Sequence, residues 1–174
     1  LDFGGGSLTS VSGEDIFLLK LGVTGNHLWS KGFLGTGSNI GHRVRVDAAG
    51  NVIASGYVVG AMDFGGGVLP PGGSQDVFVA KFDGSGAHQW SKRFGGGQEQ
   101  LGYGLDVDQN GNVALTGRLL GTADFGGGPL TSAGGVDVFV AKLSASGGHL
   151  WSQRYGDATA NQWGRAVAFD PAGN

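Results

Sequence analysis

The sequence predicts an all-β fold made of short antiparallel strands in a unit of about 61 residues. Three observations predict it. Gly accounts for 38 of the 174 residues, and each interior Gly costs a helix roughly 1 kcal/mol relative to Ala, so long helices are excluded. Hydrophobic residues make up 40% of the chain and aromatic residues 10%, which is enough to bury a core. The segment Asp-Phe-Gly-Gly-Gly begins three times, at Asp2, Asp63 and Asp124.

Other residues repeat at the same spacing of 61 positions: Trp29, Trp90 and Trp151; Phe17, Phe78 and Phe139; Lys20, Lys81 and Lys142; His27, His88 and His149. The chain is therefore one repeat region over residues 1–174, with units 1–61, 62–122 and 123–174. One residue is inserted between Gly156 and Gly164, and the third unit lacks the segment that corresponds to residues 52–61 and 113–122. The third unit thus lacks one strand.

Each unit contains four strand-like runs. In the second unit they are Asp76–Phe82, His88–Phe94, residues 103–108 and Val113–Leu119, with tight turns at 83–86 and 109–112 and a Gly-rich connection from 121 to 136. Two hairpins make a four-stranded antiparallel sheet, and its strands carry apolar side chains on both faces. Such a sheet cannot bury both faces alone, whereas sheets stacked around an axis can, so the sequence predicts a β-propeller.

Closed propellers have roughly four to eight blades, so more chain or several chains must complete the ring. The chain also opens at Leu1 inside the repeated motif, which predicts a fragment, a processed form or a partial chain.

One known family shares these motifs. The run Gly-Tyr-Gly-Leu-Asp-Val-Asp-Gln-Asn-Gly-Asn-Val-Ala-Leu-Thr-Gly from Gly102, then Asp-Val-Phe-Val-Ala-Lys-Leu from Asp137 and Trp-Ser from Trp151, resembles the bacterial SBBP family of β-propeller repeats. The resemblance covers essentially the whole chain and implies an exported bacterial protein. It also implies the blade arrangement: residues 15–34 are the two outer strands of one blade, 41–95 and 102–156 are two full blades, and 164–172 are a lone inner strand. It implies little about activity, because propellers host many functions.

Composition excludes several function classes. Eleven basic against 14 acidic residues give a net charge of −3, which is no electrostatic footprint for nucleic acid. No apolar run approaches the roughly 20 residues that span a membrane. The absence of Cys excludes disulfides, thiolate metal sites and thiol nucleophiles. We predict no cofactor and no metal. We also predict no catalysis, because the unrepeated acids form no His–carboxylate–nucleophile set. These acids are Glu14, Asp83, Glu99, Asp106 and Asp157.

Two motifs imitate functional ones. The turns that begin at Asp47, Asp108 and Asp170 superficially resemble a calcium loop, but they lack its further acidic residues and its distal Glu. We interpret them as hairpin turns whose Asp caps backbone N–H groups. The kinase letters Asp-Phe-Gly occur three times without a phosphate loop or a catalytic loop, so that match is spurious.

The predicted ligand-binding face carries the loops that differ most between units, at 35–41, 95–102 and 156–164. Strands that begin there supply the candidate site residues His42, Arg43, Tyr103, Trp163 and Arg165. Drift in tolerant loops is the alternative explanation. A second candidate is one aromatic sugar site per blade, at Trp29, Trp90 and Trp151, against the alternative that these side chains pack between blades.

The sequence therefore predicts a non-catalytic extracellular or cell-surface binding or scaffolding propeller from a bacterium. Its expected partner is a protein, a peptide, a surface glycan or further copies of the same repeat. A purely structural module of a larger surface or filament assembly is the alternative. A propeller-type hydrolase or lyase is the least favoured prediction.

Overall fold

The computed structural model describes residues 1–10 and 13–174, and over those residues it is all-β, with fourteen strands and no helix. The strands are β1 (Ile16–Leu21), β2 (His27–Phe33), β3 (Ile40–Val46), β4 (Val52–Val58), β5 (Met62–Asp63), β6 (Val68–Leu69), β7 (Asp76–Phe82), β8 (His88–Phe94), β9 (Gln100–Val107), β10 (Val113–Leu119), β11 (Thr122–Asp124), β12 (Pro129–Thr131), β13 (Asp137–Leu143) and β14 (His149–Tyr155).

The strands pair into antiparallel sheets that recur with the repeat but span two units. The two hairpins of one unit do not form one sheet as predicted, because each four-stranded sheet joins the last two long strands of one unit to the first two long strands of the next. Sheet I has the order β3-β4-β7-β8 and sheet II has the order β9-β10-β13-β14, while β1 and β2 form a separate hairpin. The predicted strands 76–82, 88–94 and 113–119 are confirmed to the residue. The predicted strand at 103–108 begins earlier, at Gln100, because Gln100 to Gly102 already pair with β10.

The Gly-rich connections contain two short hairpins, β5-β6 and β11-β12, that the sequence did not predict. In the first, the carboxylate of Asp63 accepts bonds from Gly65 N at 2.7 Å and Gly67 N at 3.1 Å, and Asp124 closes the second in the same way. Phe64 is buried and stacks on Phe78, with ring centroids 4.8 Å apart. The second and third copies of Asp-Phe-Gly-Gly-Gly are thus capped turns, and their Phe side chains are buried in a core.

The predicted inner strand at 164–172 forms no ladder. In the first two units the inner strands β3 and β9 pair with β4 and β10. No counterpart of β4 or β10 is present among residues 164–174. The segment still runs beside β9. Gly164 N donates to Gly117 O at 3.2 Å, and Phe169 N donates to the Asp106 carboxylate at 2.8 Å.

The β1–β2 hairpin, sheet I and sheet II form three stacked layers, and an apolar core lies between each adjacent pair. One core joins the β1–β2 hairpin to sheet I and includes Ile16, Leu18, Phe33, Phe78 and Phe82. The other joins sheet I to sheet II and includes Val77, Val79, Phe94, Leu105 and Phe139. The two cores use equivalent repeat positions, since Val77, Val79 and Phe94 follow Ile16, Leu18 and Phe33 by 61 residues. Sheet I therefore buries one face against the preceding layer and the other against the next.

Candidate functional site

A β-bulge places one side chain of each inner strand outside the ladder. His42 is skipped between the pairs of Gly41 and Arg43 on β3, and Tyr103 is skipped in the same way on β9. The extra residue brings a carbonyl oxygen over the neighbouring strand: a Cβ on Gly117 would lie 1.8 Å from the oxygen of Leu101. Glycine on β10 therefore permits the bulge, and the bulge redirects the unpaired side chain.

The redirected side chains of successive units stack on one another. The rings of His42 and Tyr103 lie 5.2 Å apart, and the Arg165 guanidinium lies 4.8 Å from the Tyr103 centroid. His42 Nδ1 is also 2.8 Å from the carbonyl oxygen of Gly102. Tyr103 follows His42 by 61 positions and Arg165 follows Tyr103 by 62, so the three residues occupy one repeat position. We call His42, Tyr103 and Arg165 the bulge column.

Aromatic residues flank both ends of the bulge column. The Tyr57 ring lies 5.5 Å from His42, and the Trp163 ring, 48% exposed, lies 4.6 Å from the Arg165 guanidinium. Burial raises the pKa of Tyr57, and the negative charges of Glu14 and Glu99 reinforce that rise. The cluster therefore combines stacked rings with exposed guanidinium groups, which suits binding of a polar ligand.

The five predicted site residues lie in one cluster. The column itself holds three of them, and Trp163 packs at its end. Arg43 is exposed next to His42 and donates to the His42 carbonyl oxygen at 2.9 Å. A groove of about 160 Å³ between β1 and β3 is lined in part by His42 and Arg43.

Two arginines near the bulge column form ion pairs with acidic residues. Arg45 Nε lies 3.2 Å from Asp106, and an Arg118 nitrogen lies 2.6 Å from Glu99. Among the residues that the structure describes, Arg43 and Arg165 form no ion pair; the other four arginines, Arg45, Arg93, Arg118 and Arg154, all form one. The cluster thus carries two uncompensated guanidinium groups.

Three residues of this surface, Tyr57, Arg118 and Arg45, were missed in the sequence, and Asp106 was named there only as an unrepeated acid. Tyr57 and Arg118 share one repeat position, as do Arg45 and Asp106. In each position the residue type changes between units although the surrounding pattern is kept. That change at a fixed offset is the signal that would have identified them.

The first two repeated tryptophans, Trp29 and Trp90, lie elsewhere, between successive layers. Trp29 Nε1 donates to Gly84 O at 3.1 Å, and Trp90 Nε1 donates to Ala145 O at 3.0 Å. The Lys side chain of the same unit donates to the same carbonyl oxygen, Lys20 to Gly84 and Lys81 to Ala145. These contacts support packing between layers for the first two copies. Trp151, 42% exposed, lies on the uncovered face of sheet II.

The turns that begin at Asp47, Asp108 and Asp170 are the predicted capping turns. Asp108 accepts bonds from the backbone N–H groups of Asn110 and Asn112 at 2.9 and 2.8 Å and from the Asn112 amide at 2.8 Å. Burial acts to raise the pKa of Asp108, but these bonds outweigh it and hold the pKa below its usual value. Over residues 1–10 and 13–174, no three His, Cys, Asp or Glu side chains form a group that could hold a metal.

Each of the five unrepeated acids accepts hydrogen bonds within the protein. Glu14 bonds Ser38, and Glu99 and Asp106 pair with arginines. Asp83 and Asp157 each accept a bond from a hydroxyl group of their own turn, that of Ser85 and of Thr159, and further bonds from its backbone N–H groups. These bonds lower the pKa of both carboxyls.

Comparison with known proteins gives one distant similarity. The chain is 29% identical over 158 residues to the regulatory protein FlaEY of Caulobacter vibrioides. That alignment covers 85% of this chain and 16% of the length of FlaEY. No protein-family model matches the chain. In the described part of the chain, no helix is long and apolar enough to cross a membrane.

Proposed function

We propose that this chain is part of an SBBP-type β-propeller that acts as a non-catalytic extracellular binding or scaffolding protein of a bacterium. Two consecutive four-stranded antiparallel sheets with the same strand order support the blade interpretation. The equivalent cores on either side of sheet I support repeated stacking. The similarity to a Caulobacter protein supports a bacterial source.

The bulge column is the observation that carries the binding function. A scaffold that only repeats would keep one residue type at this position, yet the units place His42, Tyr103 and Arg165 there. Aromatic and Arg side chains supply most of the binding energy at interfaces. We therefore assign the face with the variable loops to a protein, peptide or surface-glycan ligand.

A non-catalytic function is supported by the acids near this face. A general acid or base needs a carboxyl group that is free to reach a substrate. Glu99 and Asp106 are instead held in ion pairs at 2.6 and 3.2 Å.

The test is a printed array of peptides and bacterial-surface glycans probed with the labelled chain. We expect signals that Trp163→Ala abolishes and Trp151→Ala keeps. The two tryptophans are a matched pair, because they are 48% and 42% exposed on different surfaces. No signal on any feature, or equal loss in both variants, would refute the proposed function.

The uncovered faces favour a second candidate function, a structural repeat module. Phe17 and Leu21 are exposed on the β1–β2 hairpin, although their equivalents Phe78 and Phe82 are buried between layers. Tyr155 is exposed at the opposite end, although its equivalent Phe94 is buried. Each open face therefore presents the surface that the other face would bury, which fits head-to-tail pairing with another repeat.

Sedimentation velocity over a concentration series tests this candidate. Head-to-tail pairing predicts concentration-dependent assembly that Phe17→Asp prevents, since it places a charge in the contact. A monomer at all concentrations would exclude pairing between separate chains.

A further inference from the structure

We propose that Arg165 and Arg43 bind the carboxylate groups of an acidic peptide segment. This inference rests on the proposed binding function and names the chemistry of its ligand. It depends on three features of the cluster: the orientation of Arg165, the charge balance and the free edge of β3.

Arg165 is oriented without using its hydrogen-bond donors. Its guanidinium lies 4.8 Å from the Tyr103 centroid and 4.6 Å from the Trp163 centroid. Within the described residues it donates no hydrogen bond and forms no ion pair, and it is exposed. Stacking on rings restricts the guanidinium plane but leaves its N–H edge available. A carboxylate accepts two parallel bonds from such an edge.

The charge balance of the cluster points to an anion. Arg45 and Arg118 are compensated by Asp106 and Glu99, whereas Arg43 and Arg165 have no acidic partner among the described residues. Arg43 on β3 and Arg165 in the segment 164–172 have β9 between them. Two uncompensated cations spaced in this way favour an extended ligand with more than one negative charge.

A peptide fits this surface better than a glycan does. Sugars stack on open aromatic faces, but Tyr103 already contacts His42 and Arg165, and Trp163 already contacts Arg165 and Arg118. Beside Arg43, β3 is the edge strand of sheet I and pairs only with β4. A sheet edge can accept an extended peptide through backbone hydrogen bonds. Side-chain carboxylates of that peptide would then reach the arginines.

The test measures fluorescence anisotropy of labelled octaglutamate with the full chain, with octaglutamine as the uncharged peptide and trigalacturonate as the acidic sugar. We expect octaglutamate to bind and octaglutamine not to bind. Arg165→Gln should weaken octaglutamate binding about tenfold or more. Arg165→Lys should weaken it similarly, because an ammonium group lacks the planar fork. Arg43→Gln should weaken it as well.

Lys31→Gln is the matched control, since Lys31 lies on β2 and also forms no ion pair among the described residues. It removes the same charge and should change binding less than about threefold. Thermal melting of each variant checks that it is folded. Equal effects of Arg165→Gln and Lys31→Gln would overturn the proposal and leave only nonspecific attraction.

The outcomes separate this inference from the proposed function. Binding of trigalacturonate but not of octaglutamate, lost in Arg165→Gln, would replace the peptide by an acidic glycan. Array signals that depend on Trp163, together with no octaglutamate binding, would overturn the carboxylate assignment alone. An array without any signal would refute the binding function itself.

Discussion

Replacing Trp90 by Ala removes a side chain that joins sheet I to sheet II. Its indole N–H donates to Ala145 O at 3.0 Å, and its ring lies against Gly147, where an added Cβ would be 3.0 Å from the indole. Trp151 occupies the same repeat position but is 42% exposed. The two substitutions therefore remove the same atoms from a covered and an uncovered copy of one contact.

The expected cost follows from these contacts. Truncating a fully buried Trp to Ala costs about 3–5 kcal/mol, and the partly buried Trp90 should lose about 2 kcal/mol of packing. The lost hydrogen bond adds about 1 kcal/mol. The Ala145 oxygen keeps a bond from Lys81 at 3.3 Å, so no buried acceptor is left unpaired. We expect about 3 kcal/mol in total for Trp90→Ala and under about 1 kcal/mol for Trp151→Ala.

Urea unfolding followed by far-UV circular dichroism measures both costs without using Trp fluorescence. In a domain of this size, 3 kcal/mol corresponds to a fall in Tm of about 6–12 °C. Trp90→Phe should cost about 1 kcal/mol, because it keeps most of the apolar contact and loses the N–H. Equal costs for Trp90→Ala and Trp151→Ala would refute the conclusion that this Trp holds adjacent layers together.

Two further predictions concern the bulge and a turn. Gly117→Ala should lower the free energy of unfolding in urea by about 3 kcal/mol or more, because its Cβ would lie 1.8 Å from the Leu101 oxygen. Gly97→Ala is the control and should be nearly neutral, because its Cβ would have no heavy atom within 4 Å. A small loss of stability for Gly117→Ala would contradict the bulge argument. The lowered pKa of Asp108 stabilises the fold above about pH 4, the carboxyl's ordinary pKa, and this contribution is lost as pH falls through the lowered value. Asp108→Asn should therefore be less stable than the original chain at pH 7, with the difference shrinking towards pH 2, and a difference independent of pH would count against this cause.

Much of the fold could be predicted because the sequence contains three copies of one unit that can be compared with one another. Comparing three copies separates kept positions from changed ones, and alternation of apolar residues in 76–82 then indicates a strand. Tight turns with Gly at positive φ, such as Gly86 at +85° and Gly111 at +78°, fix the hairpins. Pairing of β4 with β7 across the Gly-rich connection is what the resemblance to the SBBP repeats implied for residues 41–95.

What could not be predicted depends on contacts between copies. The β5-β6 hairpin lies in a stretch whose glycines have low strand propensity, and it forms because Asp63 bonds the turn and Phe64 enters the core. The segment 164–172 has the sequence of a strand, but no strand among the described residues pairs with it. Strand propensity indicates an extended backbone, while a ladder requires a second strand.

The bulge explains why a repeat built for packing can also carry a variable surface. In a regular ladder each side chain of an inner strand faces one of the two layers, so both sets are constrained by packing. At the bulge, His42 and Tyr103 leave the ladder and contact the next unit instead of a core. The glycines on the second strand that make room for the bulge, Gly56 and Gly117, keep one identity, while the redirected residue is free to change. The bulge position can thus vary without disturbing either core, and this is where a ligand specificity would be encoded.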